Sequence, residues 1–353
     1  AFQVSDTDSG SVLYTSAAGA DHIAIRPNST LTWFKGYKWY GDFVYRRASN
    51  GSITVINYVG VEDYVKGVLP YEIDPDWPAE AQKAQAVCTR SFALGTHKHT
   101  DSGYDIFIDG GSTNVQSVGK YRILPYLKSN GVNEIDYWFV SHTDLDHING
   151  LQECLESGYE IEHLVFAKAQ KEGVEDGDAM EKLIQTAKKQ GSQILYMEVG
   201  DRLISGDLRL QCVGPTQAIS RDFAADCNAM SLCLLLTCGD FQGLFTGDIA
   251  MDQEASLVAE VQSALGENGT LAFLKVAHHG SKYSSGEDFL DALAPKIALI
   301  SCGKNNSYGH PGKETLERLE DVMGKDDIYI TMDAGQIRIL FDQESPAQVK
   351  FAK

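Results

Sequence analysis

The chain lacks any apolar run approaching the roughly 18 residues that a membrane-spanning helix needs; its longest, near residues 232–236, is strand-sized. It has no Cys-x-x-Cys pair, and its seven cysteines (Cys88, Cys154, Cys212, Cys227, Cys233, Cys238 and Cys302) are an odd number. A disulfide framework or a thiolate zinc cluster is therefore not expected. The surroundings AVCTR, LCLLL and LISCG read as small apolar core positions carrying reduced thiols. Basic residues are scarce: 30 Lys and Arg stand against 49 Asp and Glu, a formal net charge of −19. That balance argues against broad affinity for nucleic acid, which relies on neutralising phosphates with Lys and Arg. It leaves a nuclease open, because bound divalent cations would reverse the local field. The opening AFQVSDTDSG lacks the basic start and apolar middle of a signal peptide. A trimmed signal would leave the same trace.

What is present is an ordinary globular composition, 43% hydrophobic and 22% charged, over 353 residues, enough for two cores. Residues 11–60 are rich in β-branched and aromatic residues interrupted by turn signals such as Arg26-Pro27-Asn28-Ser29, and predict short strands, one of them over 52–59. Trp77-Pro78-Ala79-Glu80 opens a helix over 81–94, with proline at its first position. Beyond residue 107 the pattern changes. Strands are expected over 135–140, 163–166, 193–199, 232–237, 271–277, 297–301 and 328–332, and helices over 148–155, 175–190, 251–265, 286–293 and 313–323. This alternation predicts a layered α/β architecture, with domains at 1–106 and 107–353.

The main chemical signal is Ser141-His142-Thr143-Asp144-Leu145-Asp146-His147, directly after a predicted strand. His142 and Asp144 are two apart, so an extended segment turns both to one side. Asp146 and His147 follow where the chain enters a helix. Three more apolar strands end in polar residues: Thr246-Gly247-Asp248, His278-His279-Gly280-Ser281, and Tyr308-Gly309-His310-Pro311. Five of the nine histidines fall in these motifs, which points to one shared metal site. Lys275, Lys282 and Lys304 flank the motifs as candidate phosphate-binding cations.

These motifs resemble the metallo-β-lactamase superfamily, whose signature is HxHxDH followed by later Asp and His ligands, and within it the nuclease-like domain of the ComEC DNA-uptake proteins. The supporting stretches are Ile108-Asp109-Gly110-Gly111, Leu124-Pro125-Tyr126-Leu127, the SHxDxDH motif, Thr246-Gly247-Asp248, His278 to Ser281, and 305–311. The resemblance implies a four-layer αββα sandwich with two divalent ions at its edge, Zn²⁺ or Mn²⁺, with Fe²⁺ also compatible. His142 and Asp144 would bind one ion, Asp146 and His147 the other, and Asp248 would bridge them. His278, His279 and His310 are left as alternatives for the remaining ligand, and Asp109 would orient a ligand from behind. The implied activity is hydrolysis by a metal-bridged hydroxide, with a phosphodiester, DNA among the candidates, as substrate. Asn228 and Ser231 resemble the N-x-x-S stretch of that family. Asp144 replaces the second signature histidine, giving an oxygen-richer site. No hairpin of the kind that opens such domains precedes Phe107.

A second resemblance covers residues 55–94, where Val61-Glu62-Asp63-Tyr64 through Tyr71-Glu72, then Trp77-Pro78-Ala79-Glu80 through Val87, is similar to the SpoIID/LytB domain. It implies peptidoglycan as partner and Glu72 as the general acid of a lytic transglycosylase, with Gln85 and Arg90 lining its cleft. The likeness stops near Ile106, so this segment is expected not to be a competent enzyme by itself. A binding module without catalysis is the third reading. Both families act outside the cytoplasm, whereas the cysteine usage fits a reducing compartment, so location stays open, as does oligomeric state.

Overall fold

The computed structural model describes residues 1–353 apart from 19, 21, 30, 48–52, 75, 96–104, 131, 133, 171–176, 206, 267–268, 305, 341–347 and 353. Two compact units emerge: residues 1–97 with 129–131, and residues 98–128 with 132–353.

The first unit carries seven short strands: β1 (Gln3–Ser5), β2 (Val12–Thr15), β3 (His22–Ile25), β4 (Leu31–Phe34), β5 (Tyr37–Tyr40), β6 (Asp42–Arg47) and β7 (Ile53–Tyr58). They pair as β1-β2, β3-β6-β7 and β4-β5, all antiparallel. Helix α1 (Val61–Glu72) follows, then α2 (Ala79–Gly95). The sequence did not announce α1, because Pro70 lies inside it. In α2, the Pro78 carbonyl accepts the first helical hydrogen bonds, from Ala81 and Gln82, so the proline stands just outside the helix instead of at its first position.

The second unit holds two sheets. The first is wholly parallel in the order β11-β10-β9-β8, with β8 (Ile106–Ile108), β9 (Glu134–Phe139), β10 (Glu160–Ala167) and β11 (Gln193–Met197). The second runs in chain order through β12 (Arg202–Ser205), β13 (Leu208–Gly214), β14 (Cys233–Cys238), β15 (Phe241–Phe245), β16 (Phe273–Lys275), β17 (Ile297–Ile300) and β18 (Ile328–Ile330). It is antiparallel as far as β15 and parallel beyond. A separate hairpin, β19 (Gln336–Leu340) with β20 (Gln348–Ala352), follows.

Alternation along the strands builds the layers. On β10, Leu164 and Phe166 join a core with Leu124 and Leu127 of α3 (Leu124–Ser129), Leu151 and Leu155 of α4 (Leu145–Glu156), and Leu183 of α5 (Gly177–Gln190). The intervening Val165 and Ala167 face the other way. With Phe139 they pack on Leu210, Cys212 and Leu234 of the second sheet. The far face of that sheet, through Leu235, Leu244 and Leu274, meets Leu257 and Val261 of α7 (Met251–Leu265), Leu290 of α8 (Glu287–Leu293) and Leu319 of α9 (Lys313–Val322); the short α6 (Gln217–Asp222) precedes them. Helix, sheet, sheet, helix is the expected αββα order.

Several bounds differ from expectation. The strand expected over 271–277 keeps only Phe273–Lys275, because the backbone turns at Ala277–Gly280. Residues 175–176 of one predicted helix lie outside the described residues, and α5 begins at Gly177. β12 and β13 were not anticipated, and of β15 only the end before Thr246 was expected. Cys154, Cys212 and Cys233 are buried as expected, but Cys88 is exposed; all seven cysteines are free.

Candidate metal centre

The site forms where β9 of one sheet and β15, β16 and β17 of the other deliver their C-terminal ends. Asp109 takes a left-handed backbone (φ 56°) just after β8. Its Oδ1 accepts from the Ser141 amide (2.7 Å), while Oδ2 accepts from Ser141 Oγ (2.7 Å) and lies 2.9 Å from His147 Nδ1. The next glycines clamp the start of α4: Gly110 N donates to His147 O, and a Cβ on Gly111 would lie 2.4 Å from the Asp146 carbonyl carbon. Only glycine fits that approach. Helix α4 starts at Leu145, earlier than expected, so Asp146 and His147 sit in its first turn and Asp144 immediately precedes it.

These bonds fix the imidazole tautomers. A carboxylate only accepts, so His147 Nδ1 carries the proton it shares with Asp109. Ser141 Oγ spends its own proton on Asp109, so it accepts from His142 Nδ1 at 2.9 Å. His279 Nδ1 donates to the Ser301 carbonyl at 2.7 Å. Three Nε2 lone pairs are thereby turned toward Asp248. The Asp248 Oδ2 atom lies 3.3 Å from Nε2 of His147, 3.4 Å from His279, 3.9 Å from His278 and 4.0 Å from His142. His147 and His279 bring Nε2 to Nε2 at 3.2 Å. Such a facing pair needs a shared cation between them.

Burial sharpens that need. His142 is 0% exposed and Asp248 3%, and His142 Nε2 and Asp248 Oδ1 have no hydrogen-bond partner among the described residues. Leaving such groups unsatisfied costs on the order of 1–3 kcal/mol each. His142, His147 and Asp248 form one group able to hold a metal ion, and Asp146, His147 and His279 form another; within each, the donor atoms lie within 4.8 Å of one another. The donor set of imidazoles and carboxylates suits a divalent ion.

The other expected residues are placed unequally. Asp144 stands at the rim, its Oδ2 3.7 Å from His142 Nε2. His278 Nε2 lies 3.9 Å from Asp248 Oδ2, and His310 is more remote, its ring 5.7 Å from that of His278 and 6.5 Å from that of His279. His278 and His279 both adopt positive φ (49° and 55°), a strained backbone that turns adjacent side chains apart. A cavity of about 250 Å³ beside the cluster is lined by Asp109, Asp146, His147, His279 and Lys275. Lys275 donates to the Val276 carbonyl at 3.0 Å, and burial lowers its pKa. Lys282 instead lies over the Tyr283 ring, and Lys304 is exposed. Ser231, which motif reading singled out, supports Asp248 through its Oγ, which accepts from the Asp248 amide.

The electrostatics follow from this crowding. Burial opposes ionisation of Asp248, but the imidazoles of His147, His142 and His279 outweigh it and hold the carboxyl well below the ordinary range. Burial likewise disfavours charged His147, yet Asp109 and Asp248 raise it well above 6.5. Burial and then the charge of His147 lower His142. In metal-free protein, the raised His147 therefore contributes stability that is complete below pH 6.5 and lost as pH rises through its folded value. The lowered His142 contributes stability present above 6.5 and lost as pH falls through its folded value. The chelated protein should thus be most stable near pH 6.5. Adding a divalent ion, which replaces the shared proton, should remove the loss on the alkaline side. Thermal melts across about pH 5–9, with and without chelator, check this; an alkaline limb unchanged by metal would contradict it.

In the first unit, Glu72 ends α1, is exposed, and borders a cleft of about 670 Å³ with Tyr37, Trp39, Tyr40, Tyr64 and Tyr71. Arg90 is held by Glu62 through two bonds of 2.6 and 2.8 Å.

Fold and site together define a metallo-β-lactamase-type αββα domain with a candidate metal centre. The chain further resembles ComEC-like proteins, preceded by a SpoIID-like segment. It is 34% identical over 204 residues to ComE operon protein 3 of Bacillus subtilis, covering 58% of this chain and 24% of that protein. It is 27% identical over 257 residues to Recombination protein 2 of Haemophilus influenzae, covering 71% of this chain and 28% of that protein. The chain thus spans about a quarter of the length of these relatives. The SpoIID family (Stage II sporulation protein) matches residues 49–124, extending past the limit near 106 expected from sequence. Among solved structures, the metallo-beta-lactamase fold protein YhfI of Bacillus subtilis aligns over 66% of this chain and 86% of that one, at 13% identity and a TM-score of 0.37.

Proposed function

We propose that this protein is a metal-dependent hydrolase acting on a phosphodiester, with DNA the foremost substrate, and that two divalent ions, Zn²⁺ or Mn²⁺ with Fe²⁺ the further option, are held at the cluster. The observation that carries this reading is the convergence of the Nε2 atoms of His142, His147 and His279 on the buried Asp248. In this reading Asp146, His147 and His279 hold one ion, His142 and Asp144 the other, and Asp248 bridges; His278 and His310 stand at the margin. Bound cations would supply Lewis acidity and a nucleophile at neutral pH. Asp109 keeps His147 in the tautomer that offers Nε2, acting as a positioning residue. Lys275 sits in the adjoining cavity, where its ammonium suits a phosphate oxygen. A relative named for recombination supports DNA as the polymer.

The test is metal content of purified protein, with bis(p-nitrophenyl) phosphate hydrolysis, on wild type beside Asp146→Ala/His147→Ala. About two ions per chain and hydrolysis lost in the variant are expected. No metal and no hydrolysis after Mn²⁺ or Zn²⁺ addition would overturn the assignment. A second reading, glycan cleavage through Glu72, draws support from the aromatic cleft and the SpoIID match. Loss of glycan cleavage in Glu72→Gln but not in Asp146→Ala would favour it.

A further inference from the structure

The backbone that turns His279 toward Asp248 is strained at two successive residues, His278 and His279, and Ser285 a few residues on also takes a positive φ (57°). Such conformations persist only where the surroundings over-determine them. The determining groups here lie outside every expected motif. The carboxylate of Glu254, on α7 and 3% exposed, accepts from the amide of Ser285 and, at 2.9 Å, from that of Gly286. From the other side Arg318, on α9, donates through Nε to the Ser285 carbonyl at 2.8 Å. One of its terminal nitrogens donates to the carbonyls of Ser284 (2.9 Å) and Lys282 (3.1 Å). The peptide group joining Ser285 to Gly286 is therefore gripped at its N–H and its C=O by opposite charges.

The same loop ties the cluster-bearing segments to one another. Ser284 Oγ donates to the Ile249 carbonyl (2.8 Å) and Met251 N to the Tyr283 carbonyl (2.9 Å). The chain just after Asp248 is thus fastened to the chain just after His279. Gly312 N donates to Gly280 O (2.8 Å) and Thr315 Oγ1 to Ser281 O (2.7 Å), which brings in the segment that follows His310. Burying a carboxylate is costly, and burial does raise the pKa of Glu254, which the two amides and the charge of Arg318 only partly offset. An apolar side chain would fill the same space at less cost if packing alone were served.

We propose that Glu254 and Arg318 are positioning residues of the metal centre: by fixing the 281–286 loop they set the spacing of His279 and Asp248, and with it the affinity of the cluster for a divalent ion. The inference rests on the metal-site reading above. Glutamine at 254 keeps the shape but turns an NH2 group toward one of the two backbone N–H donors, so the loop is released at that bond.

The test is Zn²⁺ affinity of the full chain, measured by competition with a chromophoric chelator. Glu254→Gln and Arg318→Ala should each weaken binding by ~10–100-fold, the usual range for a group that orients a ligand from behind. Leu183→Ala, a buried change on α5 in the opposite helix layer, should lower the thermal midpoint and leave Zn²⁺ affinity as it is. Arg318 also borders a cavity of about 560 Å³. Guanidinium ion should therefore enter and restore Zn²⁺ affinity to Arg318→Ala, whereas tetramethylammonium at equal concentration should not. Wild-type affinity in either bracket variant overturns this inference and leaves the hydrolase reading standing, as does an equal loss in Leu183→Ala. A Glu254→Gln protein that misfolds leaves the rescue to decide, and guanidinium that does no better than tetramethylammonium overturns the inference. Wild type that binds neither Zn²⁺ nor Mn²⁺ overturns both.

Discussion

On the proposed function, Asp248→Ala is expected to leave the protein folded but unable to retain divalent ions, with phosphodiester hydrolysis reduced by more than the ~10–100-fold that loss of an outer partner of a ligand typically costs. Asp248 lies within 4.0 Å of four imidazole nitrogens through one oxygen. Its amide is anchored by Ser231 Oγ, and Gly247 before it takes a φ of +55° where an added Cβ would strike Ser231. The carboxylate thus arrives on a backbone with little freedom to adjust, and no other described acid lies within 4.0 Å of both His142 and His147 nitrogens at the centre of the cluster. Removing it leaves facing lone pairs with one fewer negative charge to hold a cation. Metal content and hydrolysis, measured together after dialysis, decide the matter. Full metal retention in the variant would refute a bridging role. The chelated variant should also lose part of the raised basicity of His147, which Asp109 and, after it, Asp248 sustain.

The second large effect is structural. Trp138→Ala should destabilise the second unit by about 3–5 kcal/mol, the cost of deleting a large buried aromatic. Trp138 is 0% exposed, its ring centroid lies 4.7 Å from that of Phe107 across β8 and β9, and Gly110 has no side chain because Trp138 fills that space. The cavity left behind would open under β9, the strand that leads into Ser141 and His142. A shift of the chemical denaturation midpoint, followed by circular dichroism, measures it. A loss below about 1 kcal/mol would mean that the neighbouring side chains collapse into the gap.

What the sequence reveals depends on whether a feature is local. The helix over 251–265 is legible to the residue, because its apolar positions recur at helical spacing and Gly266 ends it with a positive φ. Helix α1 is hidden by its internal proline. Only the end of β15 is legible, before Thr246; its start is obscured by brevity and by Gly243, which is glycine because the Phe273 ring occupies the place of its Cβ. The cluster of His142, Asp146, His147 and Asp248 could be read from motif order, since each residue follows a strand. The ranking of His278, His279 and His310 could not. Adjacent residues differ only through a left-handed turn, and His310 depends on a distant loop.

The ends of the parallel strands, where the cluster gathers, separate two kinds of evolutionary freedom. The packed layers behind them answer to side-chain volume, whereas the connections that leave those ends answer only to what must pass across the opening. Insertions after β15, β16 or β17 would therefore reshape the opening while the three apolar layers stay as they are.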